Sequence, residues 1–263
     1  MKRILFSLCI LVISASLYAG DQSKNDKLDV FLFIGQSNMA GRGYITDNYK
    51  DSVENVYLLN PNGEMEVACN PLNKYSTIRK DIKLQGVGPA YSFSKAIAKK
   101  TGLQLGLVVN ARGGTSIHSW LKGAKENYYG EALSRIRQAL KYGTLKAIIW
   151  HQGENDRKHP ETYMAKLQKL ITDLRNDLGN EDLPLIIGEI AEWSTDGTSE
   201  AFNSMLRTVS QHIPNSYCVS SKELVPLINE RDPHFSADSQ IILGRRYAET
   251  VYKVCYGNGK EAQ

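Results

Sequence analysis

The stretch Lys27-Leu28-Asp29-Val30-Phe31-Leu32-Phe33-Ile34, followed by Gly35-Gln36-Ser37-Asn38-Met39-Ala40-Gly41, decides how this chain is read. Its first eight residues form a nearly continuous apolar run, the pattern of a β-strand buried on both faces. Such a strand needs neighbours on both sides and helices over both faces. Similar runs recur at Leu103 to Val109, Leu145 to Trp150 and Leu183 to Ile190, each ending in a polar or glycine-containing turn. Among these runs, Pro89 to Lys100, Glu131 to Tyr142, Glu161 to Leu178 and Ser236 to Val254 carry apolar residues at three-four spacing, and Pro89 suits a first helical turn. The βαβαβα alternation predicts a three-layer α/β/α sandwich around a mostly parallel central sheet. Segment 47–88, with turns such as Asn60-Pro61-Asn62-Gly63, is expected to form loops and a short strand along one edge.

Composition bounds the rest. With 263 residues, 42% hydrophobic and 23% charged, the chain can build a sizeable core, and collagen-like, low-complexity or disordered classes are excluded. The formal charge is +4, two units of which come from Lys2 and Arg3. Without a basic cluster able to track phosphates, a nucleic-acid partner is not expected.

Residues 1–19 have a basic start, an apolar run from Ile4 to Leu17 and a small residue, Ala19, at a cleavage point, which predicts a secretory signal peptide. An apolar run of about fourteen residues reaches only about 20 Å as a helix, short of the roughly 30 Å of a bilayer core. No stable membrane insertion is therefore expected once the signal is removed. Residues 20–263 then form a single domain that is periplasmic or secreted. An oxidising destination permits one disulfide among Cys69, Cys218 and Cys255, with Cys218 and Cys255 the first pair to consider. Neither Cys-x-x-Cys nor His-Glu-x-x-His occurs, so no metal is expected.

In open α/β sheets ligands bind beyond the carboxyl ends of the strands. Four polar blocks fall at or near such ends: 35–41, Asn110-Ala111-Arg112-Gly113-Gly114-Thr115-Ser116, His151-Gln152-Gly153-Glu154-Asn155-Asp156, and Arg231-Asp232-Pro233-His234-Phe235. Ser37 follows a strand and opens a helix, where a hydroxyl is presented and backbone donors can hold an oxyanion. An isolated serine there would otherwise be a helix N-cap. A nucleophile needs a base and the base an orienting acid, and His234 with Asp232 offers both. The Gly-x-Ser-x-Gly elbow of the α/β-hydrolases is absent.

These blocks, in this order and with the Gly244-Arg245-Arg246-Tyr247-Ala248 run that follows, resemble the SGNH hydrolase superfamily. More narrowly they resemble its sialate O-acetylesterase and acetyl xylan esterase branch, carbohydrate esterase family 6. The resemblance implies Ser37 as nucleophile, His234 as general base, and an oxyanion hole of the Ser37 N–H, the N–H of a glycine such as Gly114, and the Gln152 side chain. It implies an acetylated carbohydrate, sialic acid or xylan-type glycan, as substrate, and neither metal nor cofactor. The pattern departs at the acid. The superfamily places Asp three residues before the histidine, whereas position 231 is Arg and the carboxylate is Asp232. Glu230, or no acid at all, is the alternative.

Gln36, Asn38, Arg112, His151 and Glu154 stand in the same blocks as candidate substrate contacts. His151 could equally be a packed, hydrogen-bonded histidine. Glu154 and Asp156 could act as paired acids on a glycoside, or brace the turn, with Arg112 as a partner of Glu154. Trp120, Tyr91 and Trp193 could stack on sugar rings or fill the core. A lipase or thioesterase on the same fold, or a carbohydrate-binding protein without catalysis, are the competing functions.

Overall fold

In the computed structural model, which describes residues 27–193 and 197–257, seven strands form one sheet. They are β1 (Leu28–Gly35), β2 (Val56–Leu59), β3 (Met65–Val67), β4 (Leu105–Ala111), β5 (Gly143–His151), β6 (Leu185–Gly188) and β7 (Ser216–Val219). Their spatial order is β3-β2-β4-β1-β5-β6-β7, all parallel except the edge strand β3. The chain thus builds to one side of β1, then crosses to the other with β5. Crossovers of that kind open a crevice at the carboxyl end of the central strand.

Alternation along β1 shows why a continuous apolar run was required. Val30, Leu32 and Ile34 enter one core with Ile148, Trp150 and the helices α3 (Tyr128–Ala139), α4 (Pro160–Leu178) and α5 (Thr198–Leu206). Phe31 and Phe33 enter the opposite core, each edge-on to Phe93 at 5.0 Å, beneath α2 (Pro89–Thr101) and α7 (Ala237–Val251). Each fully buried side chain of this size contributes roughly 1.5–3 kcal/mol of hydrophobic stabilisation. Two short helices, α1 (Ser37–Ala40) and α6 (Val209–His212), complete the set. The helix ends follow local chemistry: Pro89 and Pro160 open α2 and α4, and left-handed Gly102 and Gly179 close them.

The expected α/β/α sandwich is present, with three differences. The 47–88 edge holds two strands, β2 and β3, as an antiparallel pair. α3 begins three residues before its expected start, because Asn127 takes a left-handed conformation there and turns the chain into the helix. β7 and the α5–α6 pair were not anticipated. At the sheet edge β7 leaves Tyr217 exposed, so its four residues carry little hydrophobic signal.

The cysteine expectation is corrected: Cys69, Cys218 and Cys255 are all free. Cys218 packs against the core beneath α4 and α5, Cys255 against the core on the other side of the sheet, so the sheet separates the pair. Burial pushes the Cys218 thiol up to about 12 and that of Cys255 up to about 11, which keeps both as thiols. The expected signal peptide lies outside the described residues. Among the described residues no helix is long and apolar enough to cross a membrane.

Candidate active site

The carboxyl ends of β1, β4 and β5 are stitched together by backbone hydrogen bonds. Gln36 N–H donates to the His151 carbonyl at 2.9 Å and Arg112 N–H to the Gly35 carbonyl at 3.0 Å. Ser37 is the first residue of α1 and is 5% exposed. At that position its N–H has no intrahelical acceptor. Gly113 packs directly against it: a Cβ on Gly113 would lie 3.2 Å from Ser37 Cβ and 2.4 Å from a terminal nitrogen of Arg42. Gly114 has φ +72°, a left-handed turn that favours glycine, and its missing Cβ would lie 3.2 Å from Lys80 Nζ. Among the described residues, the N–H groups of Ser37, Gly113 and Gly114 have no acceptor. Three unpaired backbone donors therefore lie at Ser37 and in the adjoining Gly113–Gly114 turn.

His234 arrives from the loop before α7. Its Nδ1 lies 2.6 Å from Asp232 Oδ1, and the same oxygen accepts the His234 backbone N–H at 3.1 Å. The two-residue spacing therefore brings carboxylate and imidazole together, with Pro233 in the turn. Trp193 Nε1 donates to the Asp232 carbonyl at 2.7 Å and holds the turn from outside. No hydrogen bond joins Ser37 Oγ to His234 among the described residues; catalytic bonds of this kind commonly tighten only in the Michaelis complex.

What joins the two blocks is Asn38. Its Nδ2 donates to the Pro233 carbonyl at 3.0 Å and its Oδ1 accepts the Phe235 N–H at 3.1 Å, so one amide brackets His234 on both sides. Asn38 is fully buried, as is His151, and Gln36 and Glu154 are 3% and 6% exposed. All four are engaged by neighbouring side chains. Gln36 Oε1 accepts from Gln152, His151 Nδ1 lies 2.8 Å from Tyr247 Oη, and Glu154 Oε1 accepts from Asn38 at 2.6 Å. Gln152 Nε2 meets three acceptors, Gln36 Oε1 at 3.0 Å, the Thr115 carbonyl at 2.9 Å and Asp156 Oδ2 at 2.6 Å. Its two hydrogens have no surplus for an oxyanion in this arrangement.

A model of the family "carbohydrate esterase, sialic acid-specific acetylesterase" matches residues 27–253. The chain belongs to this family. A probable carbohydrate esterase of Arabidopsis thaliana is 30% identical over 243 residues, covering 84% of this chain and 88% of that protein. An Arabidopsis thaliana crystal structure superposes with a TM-score of 0.76 at 28% identity, over 86% of this chain and 98% of that one. NanS, at 16% identity, has a TM-score of 0.66 over 87% and 97% of the two chains. A carbohydrate acetylesterase from Xanthomonas citri, at 18% identity, has the same TM-score over 88% and 57%. These last two share the fold.

In this carbohydrate esterase the remaining expectations separate. Arg112 is half-buried and donates to the Ile78 carbonyl at 2.6 Å, with its guanidinium 5.7 Å from the Tyr128 ring, so it does not pair with Glu154. Trp120 and Tyr91 are buried core residues, and Trp120 Nε1 donates to Thr115 Oγ1 at 3.0 Å. Of the three aromatics, Trp193 alone is part-exposed beside the histidine loop. Asp156 braces the third block: it accepts the Ile117 N–H at 2.9 Å as well as Gln152, and burial raises its carboxyl above the ordinary range. Sequence reasoning missed Arg42. Its Nη1 bonds the Gly41 and Leu84 carbonyls at 2.9 and 2.7 Å, which aims the guanidinium over Gly113. The residue sits one place past the first block, and only the fold brings it to the second.

Proposed function

We propose that the chain is a serine esterase of the SGNH type, in the carbohydrate esterase family 6 branch, that removes O-acetyl groups from a carbohydrate. The observation that carries this reading is the 2.6 Å contact of His234 Nδ1 with Asp232, on a loop that Asn38 fastens beside Ser37. In the proposed cycle His234 takes the Ser37 proton and Oγ attacks the acetyl carbonyl. The tetrahedral oxyanion is held by the N–H of Ser37 with those of Gly113 and Gly114. Collapse passes the proton from His234 to the departing sugar oxygen and leaves acetyl on Ser37. Water, deprotonated by the same histidine, then releases acetate. Gln152 serves this centre as a brace of the third block.

An acidic sugar fits better than a neutral xylan chain. The Arg42 guanidinium and the Lys80 ammonium stand at the Gly113–Gly114 turn, where a substrate carboxylate would gain charge-assisted hydrogen bonds. The family's description, sialic acid-specific acetylesterase, points the same way. We place the protein outside the cytoplasm, with residues 1–19 removed.

Acetate release from O-acetylated sialic acids and from acetylated xylan tests the reading. Wild type is expected to prefer the sialic acids, Ser37→Ala to lose turnover by several decades, and a fluorophosphonate probe to label wild type alone. Wild-type-like turnover by Ser37→Ala would refute the serine mechanism, and a preference for xylan would refute the acidic sugar.

A further inference from the structure

Behind the catalytic face a line of buried polar side chains runs from α7 to the histidine loop, and the acyl-transfer steps above use none of them. Tyr247 Oη lies 2.8 Å from His151 Nδ1, and His151 Nε2 lies 3.7 Å from Glu154 Oε1. That oxygen takes Asn38 Nδ2 at 2.6 Å, and Asn38 in turn holds the Pro233 carbonyl and the Phe235 N–H. Gln240 Nε2 adds a contact to Asn38 Oδ1 at 3.3 Å. A buried carboxylate without a salt-bridged Arg or Lys is costly, and a residue needed only to fill space would be apolar.

The chemistry of a carboxylate explains its presence. An amide can present either end to a neighbour, and the two ends of Asn38 meet opposite demands: Pro233 offers an acceptor, Phe235 a donor. An ionised carboxylate only accepts, so it compels Nδ2 to face Glu154 and Pro233 and leaves Oδ1 for Phe235. Glutamine at 154 could turn and set its own amide hydrogens against Asn38 Nδ2, a mismatch that a carboxylate cannot make. Burial alone would raise the Glu154 carboxyl, but the adjacent His151 imidazole, the backbone of its own turn and Asn38 together bring it below the ordinary carboxylate range. The acceptor-only form is thereby maintained.

We propose that Glu154 is a positioning residue: by dictating the direction of the Asn38 amide it fixes the Pro233–Phe235 backbone, and with it the His234 imidazole, against Ser37. This rests on the serine-esterase reading above. A misplacement of about 1 Å can cost roughly 10²-fold in rate, and the loss should fall on kcat because Glu154 acts through the placement of His234.

Kinetics of p-nitrophenyl acetate hydrolysis by the full chain test it, using Glu154→Gln, Asn38→Ala, their double variant and Ser37→Ala. Glu154→Gln is expected to lower kcat about tenfold with KM within about twofold, a partial loss on the same scale. In the Asn38→Ala background the same change should cost nothing further, since Glu154 acts through Asn38. Wild-type kcat in Glu154→Gln, a lower melting temperature with kcat intact, or losses that add with those of Asn38→Ala would each overturn the positioning role while Ser37→Ala stays inactive. Turnover by Ser37→Ala would instead overturn the esterase reading and this role with it.

Discussion

Asp232 Oδ1 meets the same residue, His234, twice: it accepts a hydrogen bond from the backbone N–H at 3.1 Å and lies 2.6 Å from the imidazole Nδ1. The backbone bond closes a short turn around Pro233, and that turn delivers the imidazole to the carboxylate. A spacing of three residues is therefore not needed for the pair to form. With Nδ1 committed to Asp232, the other ring nitrogen, Nε2, is the one left for proton transfer.

This geometry makes Asp232→Asn the sharpest mutational test of the triad. An amide cannot hold the tautomer or stabilise the imidazolium, and in chymotrypsin the equivalent loss is about 10⁴ in kcat. A comparable fall at neutral pH is expected here, with His234→Ala at least as damaging. The double variant should lose scarcely more than His234→Ala, because members of one catalytic unit are strongly non-additive. Retention of more than a tenth of wild-type kcat by Asp232→Asn would reduce the site to a Ser37 and His234 dyad, and Glu230→Gln would then be the next variant to assay.

For Gln152→Ala the structure predicts a loss of stability more than of rate. Its amide pairs Gln36, the Thr115 carbonyl and Asp156, and removal leaves buried acceptors unsatisfied at about 1–3 kcal/mol. For a domain of this size each kcal/mol lowers the melting temperature by about 2–4 °C. kcat should fall by less than the 10² to 10³ of a lost oxyanion donor. An unchanged melting temperature with a full 10²-fold loss of kcat would mean that Gln152 turns to the oxyanion during reaction.

Gly188→Ala probes the buried line from the β6 side. A methyl there would lie 1.9 Å from Tyr247 Oη and 2.6 Å from His151 Nδ1, so the bond between them must break or the strand must move. Overpacking of this kind costs about 1–3 kcal/mol, read as a lower denaturation midpoint. Tyr247→Phe removes the obstructing oxygen, so the double variant should be more stable than the sum of the two single losses predicts. Strict additivity would show that the hydroxyl is not what the methyl meets.

The sequence carried the centre of the sheet and the polar blocks that hold Ser37 and His234, and the reasons are local. β1, β4 and β5 are buried on both faces, so their apolar runs have no polar interruption, and the blocks at their ends must be polar to do chemistry. What stayed hidden depends on distant pairing. Asn38 meets Pro233 and Phe235 across almost 200 residues, and nothing in its neighbourhood separates a brace from a substrate contact. Arg112 is one partner the sequence offers Glu154, whereas the fold gives it Asn38. The Cys218–Cys255 pairing failed on the same ground, since proximity in the chain does not reveal which face of the sheet a side chain takes.

The last prediction concerns pH and Asp156. Burial disfavours its charged form and raises its carboxyl above the ordinary value, and the bonds from Gln152 and Ile117 only partly oppose this. The folded state therefore holds this proton more tightly than the unfolded chain does. Linkage then gives the sign: the contribution is fully present below the unfolded carboxylate value near 4, and is lost as pH rises through the raised folded value. Asn at 156 keeps an acceptor for Gln152 and Ile117 without carrying a charge, so Asp156→Asn is free of that loss. Glu154 has the opposite shift, and its contribution fades as pH falls, but it is common to both proteins and cancels in their difference. The melting temperature of wild type minus that of Asp156→Asn should thus decline as pH rises from about 4 and level off above the raised folded value. A difference that is flat, or that grows with pH, would show that the hydrogen bonds from Gln152 and Ile117 outweigh burial at this carboxylate.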